Sequence, residues 1–132
     1  MQKILAEKKA IITGANQGLG FEIAKKYVQA GADVMLCARS GTLLDMAYNE
    51  LVAISVPGQK IAKHVANVSA EADVQAVVVK TIKELGGCHI LVNNAGIYGP
   101  KGEIETVDWT EWVKAIQINV YGSILMCRAL LP

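Results

Sequence analysis

At 132 residues the chain is long enough to bury one hydrophobic core and too short for two. Apolar residues make up 52% and charged residues 19%, and 13 Lys and Arg against 12 Asp and Glu leave a net charge of +1, which excludes a basic face for nucleic acid or an anionic membrane. The apolar run Ile116–Cys127 is broken by Gln117, Asn119, Tyr121, Gly122 and Ser123 and is too short to cross a bilayer. The charged start Met1–Lys9 lacks the apolar centre of an export signal, so a cytoplasmic protein is expected.

In chain order, Lys9–Thr13 (KAIIT) reads as a short strand that runs into glycine. Ile23, Ala24, Tyr27 and Val28 then recur at helical spacing within Gly18–Ala30, with Gly31 as the stop. Asp33–Ala38 (DVMLCA) is a second, buried strand, and Thr42 to about Ser55 a helix closed by Pro57-Gly58. Lys60–Val65 is a third strand. Ser69 is placed to cap the next helix, which runs to Leu85 and ends at Gly86-Gly87; its β-branched interior VQAVVV is long enough to be helical all the same. Ile90–Asn93 is a fourth strand. After a glycine-rich loop, Asp108 caps one long apolar helix that runs almost to Pro132.

Strand and helix alternate four times, and the strands lack polar alternation. That pattern predicts an α/β fold: a doubly wound parallel sheet of Rossmann type with helices on both faces. Residues 1–132 are expected to form a single domain. Cys37, Cys88 and Cys127 are too far apart for a CxxC or a metal-ligand set, so no metal site is expected and all three read as small buried hydrophobes. His64 and His89 read as structural residues of the third and fourth strands.

The first strand leads directly into Thr13-Gly14-Ala15-Asn16-Gln17-Gly18-Leu19-Gly20. A glycine turn between strand and helix lets backbone N–H groups and the positive end of a helix approach a pyrophosphate. The spacing is GxxxGxG, which differs from the general GxGxxG fingerprint. Taken alone, it is also compatible with a merely tight turn.

Three motifs in order carry a resemblance: TGANQGLG, NNAG (Asn93–Gly96) and NVYG (Asn119–Gly122). Together they resemble the short-chain dehydrogenase/reductase family over nearly the whole chain. The resemblance implies a nicotinamide cofactor and hydride transfer between it and a carbonyl or alcohol carbon, with 3-oxoacyl compounds among the candidate substrates. It further implies that Gly14, Gly18 and Gly20 shape the pyrophosphate loop, with Asn16, Gln17 and Leu19 lining the cofactor. Asn94, Ala95 and Gly96 would run beside its ribose and middle, and Asn67 and Val68 would lie near the adenine; the family more often has Asp at the position of Asn67. Asn119 corresponds to the family's helix asparagine, which supports catalysis by holding a water and a proton-relay geometry.

Cofactor choice turns on the end of the second strand, where an acidic residue would bind the 2′-hydroxyl of NAD and a basic one the 2′-phosphate of NADP. Here Arg39 and Ser40 follow Ala38 and no carboxylate is present, so NADP(H) is favoured over NAD(H). Gln17 departs from the basic residue that many NADP-preferring relatives carry there. The same arrangement opposes a Rossmann-like methyltransferase, which would want an acid at that strand end.

The family's chemistry also needs a serine and a Tyr-xxx-Lys pair. Four residues after Tyr27, Tyr48, Tyr98 and Tyr121 stand Gly31, Val52, Gly102 and Leu125, and Tyr98-Gly-Pro-Lys101 has the wrong spacing. Ser123 follows Asn119 too closely to be the serine. The sequence therefore reads as the nucleotide-binding front part of a family member, ending after the fifth helical region and inactive alone. Two readings stay open: an NADP(H)-dependent oxidoreductase in complete form, or a non-catalytic nucleotide-binding fragment or assembly partner. The complete enzyme would be a dimer or tetramer, with helix 116–131 in subunit packing. The isolated chain would be poorly soluble.

Overall fold

A computed structural model describes residues 2–132. The elements are β1 (Lys9–Thr13), α1 (Gly18–Gln29), β2 (Asp33–Ala38), α2 (Gly41–Ile54), β3 (Ile61–Val65), α3 (Glu71–Leu85), β4 (Ile90–Val92), α4 (Trp109–Ile116) and α5 (Gly122–Leu130). A π-helical turn over Gln117–Tyr121 joins α4 to α5.

The four strands form one parallel sheet in the order β3-β2-β1-β4. Successive side chains on a strand point to opposite faces. On the central strands this gives two cores from one short sequence. Ile12 and Leu36, paired across β1 and β2, pack with Ala24, Val28, Leu44 and Leu51 under α1 and α2. Ile11 and Met35, the neighbouring pair, pack with Val74, Val77, Leu85, Ile118 and Met126 under α3 and the α4–α5 run. Burial of each such side chain contributes roughly 1.5–3 kcal/mol. This double-sided burial explains why neither strand alternates with polar residues, and it makes the fold a Rossmann-type doubly wound sheet.

The order reverses beside β1: β2 and β3 extend to one side, β4 to the other. A crevice at the carboxyl ends of the strands is the usual outcome of such a reversal. The VQAVVV stretch is helical as expected, with Val74, Val77 and Val78 buried and Val79 turned to solvent. Gly86 closes that helix in the left-handed region (φ 88°), where glycine pays no steric penalty.

Three expectations are corrected. Ser69 does not cap α3: its N–H and hydroxyl both donate to Asn67 Oδ1, at 3.0 and 2.7 Å, and Ala70 takes the cap position without a side-chain bond. Instead Glu71 and Asp73 place negative charge in the first turn, and Asp73 Oδ2 accepts the Asn67 N–H at 2.8 Å. The final helix is not regular throughout, because Gly122 N–H reaches five residues back to Gln117 O. Asp108 does cap its start, accepting from the N–H groups of Thr110 and Glu111. Nor are all three cysteines buried: Cys37 is, Cys88 is half-buried and Cys127 is exposed, its sulfur accepting from Asn93 Nδ2 at 3.5 Å.

Candidate functional site

A cavity of about 910 Å³ opens over the carboxyl ends of β2, β1 and β4. At one end lie Cys37, Ala38, Arg39, Ser40 and Leu43; in the middle Gly14 and the turn Asn16–Leu19; at the other end Asn94–Tyr98 and Asn119. Ala66, Val68 and Ile118 close the floor.

The middle is built by glycine. Gly14 adopts φ 63°, and a Cβ there would sit 2.9 Å from Asn94 Nδ2. Gly20 has no such dihedral demand, yet a Cβ on it would collide with the Gly14 carbonyl and the Asn94 amide. Gly18 also has positive φ (59°), but faces open space. Glycine at 14 and 18 thus serves the turn, while glycine at 20 lets α1 press against β1. The α1 N-terminus carries no capping side chain and no acid in its first turn, so its leading N–H groups face the cavity uncapped.

Thr13, which sequence reasoning passed over, organises the β4 end. Its buried hydroxyl accepts the N–H groups of Asn94 and Ala95, at 3.0 and 2.9 Å, and donates to Val92 O at 3.4 Å. Asn94 Nδ2 donates to Gly14 O at 3.2 Å. Thr13 leads the TGANQGLG motif, so the signal lay in the motif; the partner, 81 residues on, did not. On the other flank Ala15 N–H donates to Cys37 O at 3.2 Å, tying the glycine turn to β2.

Asn119 sits in the π-helical turn, a rare geometry that concentrates at functional sites. Its amide is used twice on one residue: Oδ1 accepts from Ile97 N at 2.8 Å and Nδ2 donates to Ile97 O at 2.7 Å. The side chain therefore fixes the loop after β4.

Ser40 caps α2 by accepting from Leu43 N at 3.4 Å, which leaves its own hydroxyl proton free to donate. Arg39 is exposed and makes no hydrogen bond or ion pair among the described residues. Cys37 lines the cavity, but burial, reinforced by the negative charge of Asp73, pushes its thiol up to about 12, so it stays protonated. His89 is structural as read: Nδ1 accepts from Lys9 N–H at 3.0 Å while its own N–H donates to Lys9 O at 2.8 Å.

The structure brings together Gly14, Asn16, Gln17, Gly18, Leu19, Arg39, Ser40, Val68, Asn94, Ala95, Gly96 and Asn119 around one cavity. Gly20 stands behind the turn. Asn67 does not line the cavity, because its side chain is turned back onto Ser69.

A glycine turn opening the first helix at the reversal point of a parallel sheet defines a Rossmann-type nucleotide-binding fold. The pattern of the short chain dehydrogenase family matches residues 8–132. The chain is 33% identical over 128 residues to human (Homo sapiens) dehydrogenase/reductase SDR family member 4, which covers 97% of this chain and 45% of that protein. Among solved structures, the 3-ketoacyl-(acyl-carrier-protein) reductase from Brucella melitensis complexed with NADH superposes with a TM-score of 0.88 at 35% identity, covering 97% of this chain and 50% of that one. A metagenomic short-chain oxidoreductase in complex with NADP gives 0.85 at 32% identity, covering 95% and 55%. This chain belongs to the short chain dehydrogenase family, and it spans about half the length of the curated relatives it matches.

Proposed function

We propose that residues 1–132 form the nucleotide-binding part of an NADP(H)-dependent oxidoreductase that moves a hydride between the nicotinamide and a carbonyl or alcohol substrate. The observation that carries this reading is the cavity itself: an uncapped helix N-terminus over a glycine turn, flanked by Arg39 and Ser40. The similar solved structures, one with NADH and one with NADP, support a nicotinamide cofactor without choosing between the two.

The residues present fit such a group. Gly14, Gly18 and the leading N–H groups of α1 would receive the pyrophosphate, where the helix dipole favours negative charge. Arg39 would pair with a 2′-phosphate, with the Ser40 hydroxyl donating to it and the start of α2 adding its own partial charge. Val68 would pack beside the adenine. Asn94 and Ala95, held by Thr13, would border the ribose and the middle of the cofactor together with Gly96. Once bound, the cofactor supplies the hydride donor or acceptor at its nicotinamide ring. Asn119 holds the Ile97 segment beside that end and serves as a positioning residue. The chain contains no Tyr-xxx-Lys pair, so the proton donor and acceptor of the reaction are assigned to the longer protein. That protein is read as a cytoplasmic homo-oligomer acting on small molecules, 3-oxoacyl compounds included.

Calorimetric titration with NADPH and NADH tests the reading. NADPH is expected to bind at least about tenfold more tightly, the worth of one charge-assisted contact. Binding of neither would defeat it, and preference for NADH would defeat the NADP assignment.

A further inference from the structure

Tyr98 and Lys101, in the loop after β4, have no task in nucleotide binding. The backbone around Tyr98 is fixed from both sides. Ile97, before it, gives both backbone groups to the Asn119 amide. Gly99, after it, sits at φ 78° with its would-be Cβ 2.9 Å from Ala115 Cβ, so no other residue fits without a shift of α4. Between these anchors the Tyr98 side chain lines the cavity yet is 96% exposed. The hydrophobic effect does not hold a ring in that position. Burial would favour almost any other placement.

The second half of the pair is the Lys101 ammonium, 5.7 Å from the Tyr98 ring centroid. Neither the tyrosine hydroxyl nor the ammonium has a hydrogen bond or ion pair among the described residues. The nearby acids do not neutralise it: Asp108 is spent on the α4 cap, and Glu103 and Glu105 make no ion pair. A flat apolar ring and a hydroxyl donor thus stand on a segment anchored at Ile97 and Gly99, with a cation beside the ring. Tyr98 lines the β4 end of the cavity, opposite Arg39 and Ser40, and Lys101 stands beside its ring. Fixing such groups before a ligand arrives lowers the ordering cost of binding.

We infer that Tyr98 and Lys101 form a substrate-recognition arm that selects carbonyl compounds bearing a carboxylate. The inference rests on the nucleotide reading above, because that reading assigns the β4 end to the reacting partner. The ring packs against the carbon skeleton, the hydroxyl donates to the carboxylate and the ammonium pairs with it.

The chain saturated with NADPH is titrated calorimetrically with benzoylformate and with its methyl ester, the same ketone without the charge. Benzoylformate is expected to bind about fivefold more tightly, the upper range for an exposed ion pair, and Lys101→Ala to abolish that difference. Tyr98→Ala weakens both ligands roughly fivefold, whereas Tyr98→Phe weakens only the acid. Thermal melts confirm that the variants fold, since neither side chain is buried. Equal affinity for acid and ester, no binding of the acid, or a preference that survives Lys101→Ala overturns the inference while the nucleotide reading stands. Failure of NADPH itself to bind the unaltered chain overturns both.

Discussion

The two ends of the cavity are built differently. At the β1–β2 end the backbone does the shaping: two glycines at positive φ, a third pressed against a carbonyl, and two helix N-termini pointing inward. At the β4 end the backbone is irregular, and side chains hold it. Thr13 anchors Asn94 and Ala95, Asn94 reaches back to Gly14, and Asn119 grips Ile97. Backbone shaping is local in sequence and depends on the absence of side chains. Side-chain shaping joins residues from 22 to 82 positions apart and depends on their presence. Substitution should therefore injure the two ends in opposite ways.

The largest effect is expected at the first end. Gly20→Ala places a methyl group against the Gly14 carbonyl, which cannot move without carrying β1, and should cost about 3 kcal/mol in chemical denaturation. A loss under about 0.5 kcal/mol would show that the turn is softer than its geometry implies. At the second end Thr13→Val keeps the shape but strands two N–H groups that now share one hydroxyl, at about 2 kcal/mol. Asn119→Ala removes both bonds to Ile97, but in a more exposed setting, and about 1 kcal/mol is expected. Amide exchange should speed up at Ile97 in that variant while Ala15, bonded to Cys37 O, stays protected; equal loosening of both would erase the distinction between the ends.

The cysteines give the smallest effect and a pH test. Iodoacetamide at pH 8 should label exposed Cys127 first and Cys37 last, because burial raises the Cys37 thiol to about 12. A thiol whose folded pKa lies above its unfolded value favours the folded state only while protonated. Its contribution is thus intact below about 9 and fades as pH rises from 9 towards 12. Cys37→Ser should flatten that alkaline slope in urea melts. A slope unchanged by the substitution would place its origin elsewhere.

The first end was legible in the sequence for the same reason that it is local. Glycine spacing, the apolar runs of β1 and β2, and Arg39 after Ala38 are all read within residues 9–39. The strand-helix alternation gave the Rossmann fold, and even the β-branched VQAVVV was recognisable as helix by its length. The second end was legible only as motifs. NNAG and NVYG marked the positions, but nothing in either indicates that Thr13 receives the first or that Asn119 clamps Ile97. The π-helical turn was hidden because it alters one hydrogen bond register inside a continuous apolar helix. Ser69 misled because Asn67, two residues earlier, competes for the same hydroxyl.

The most direct test maps amide chemical shifts of the chain as NADPH is added. The account predicts shifts at Gly14–Leu19, at Arg39 and Ser40, and at Asn94–Gly96, with the strongest at the uncapped start of α1. Shifts confined elsewhere would contradict it, above all at the smaller cavity of about 370 Å³ beside Tyr48 and Gln59.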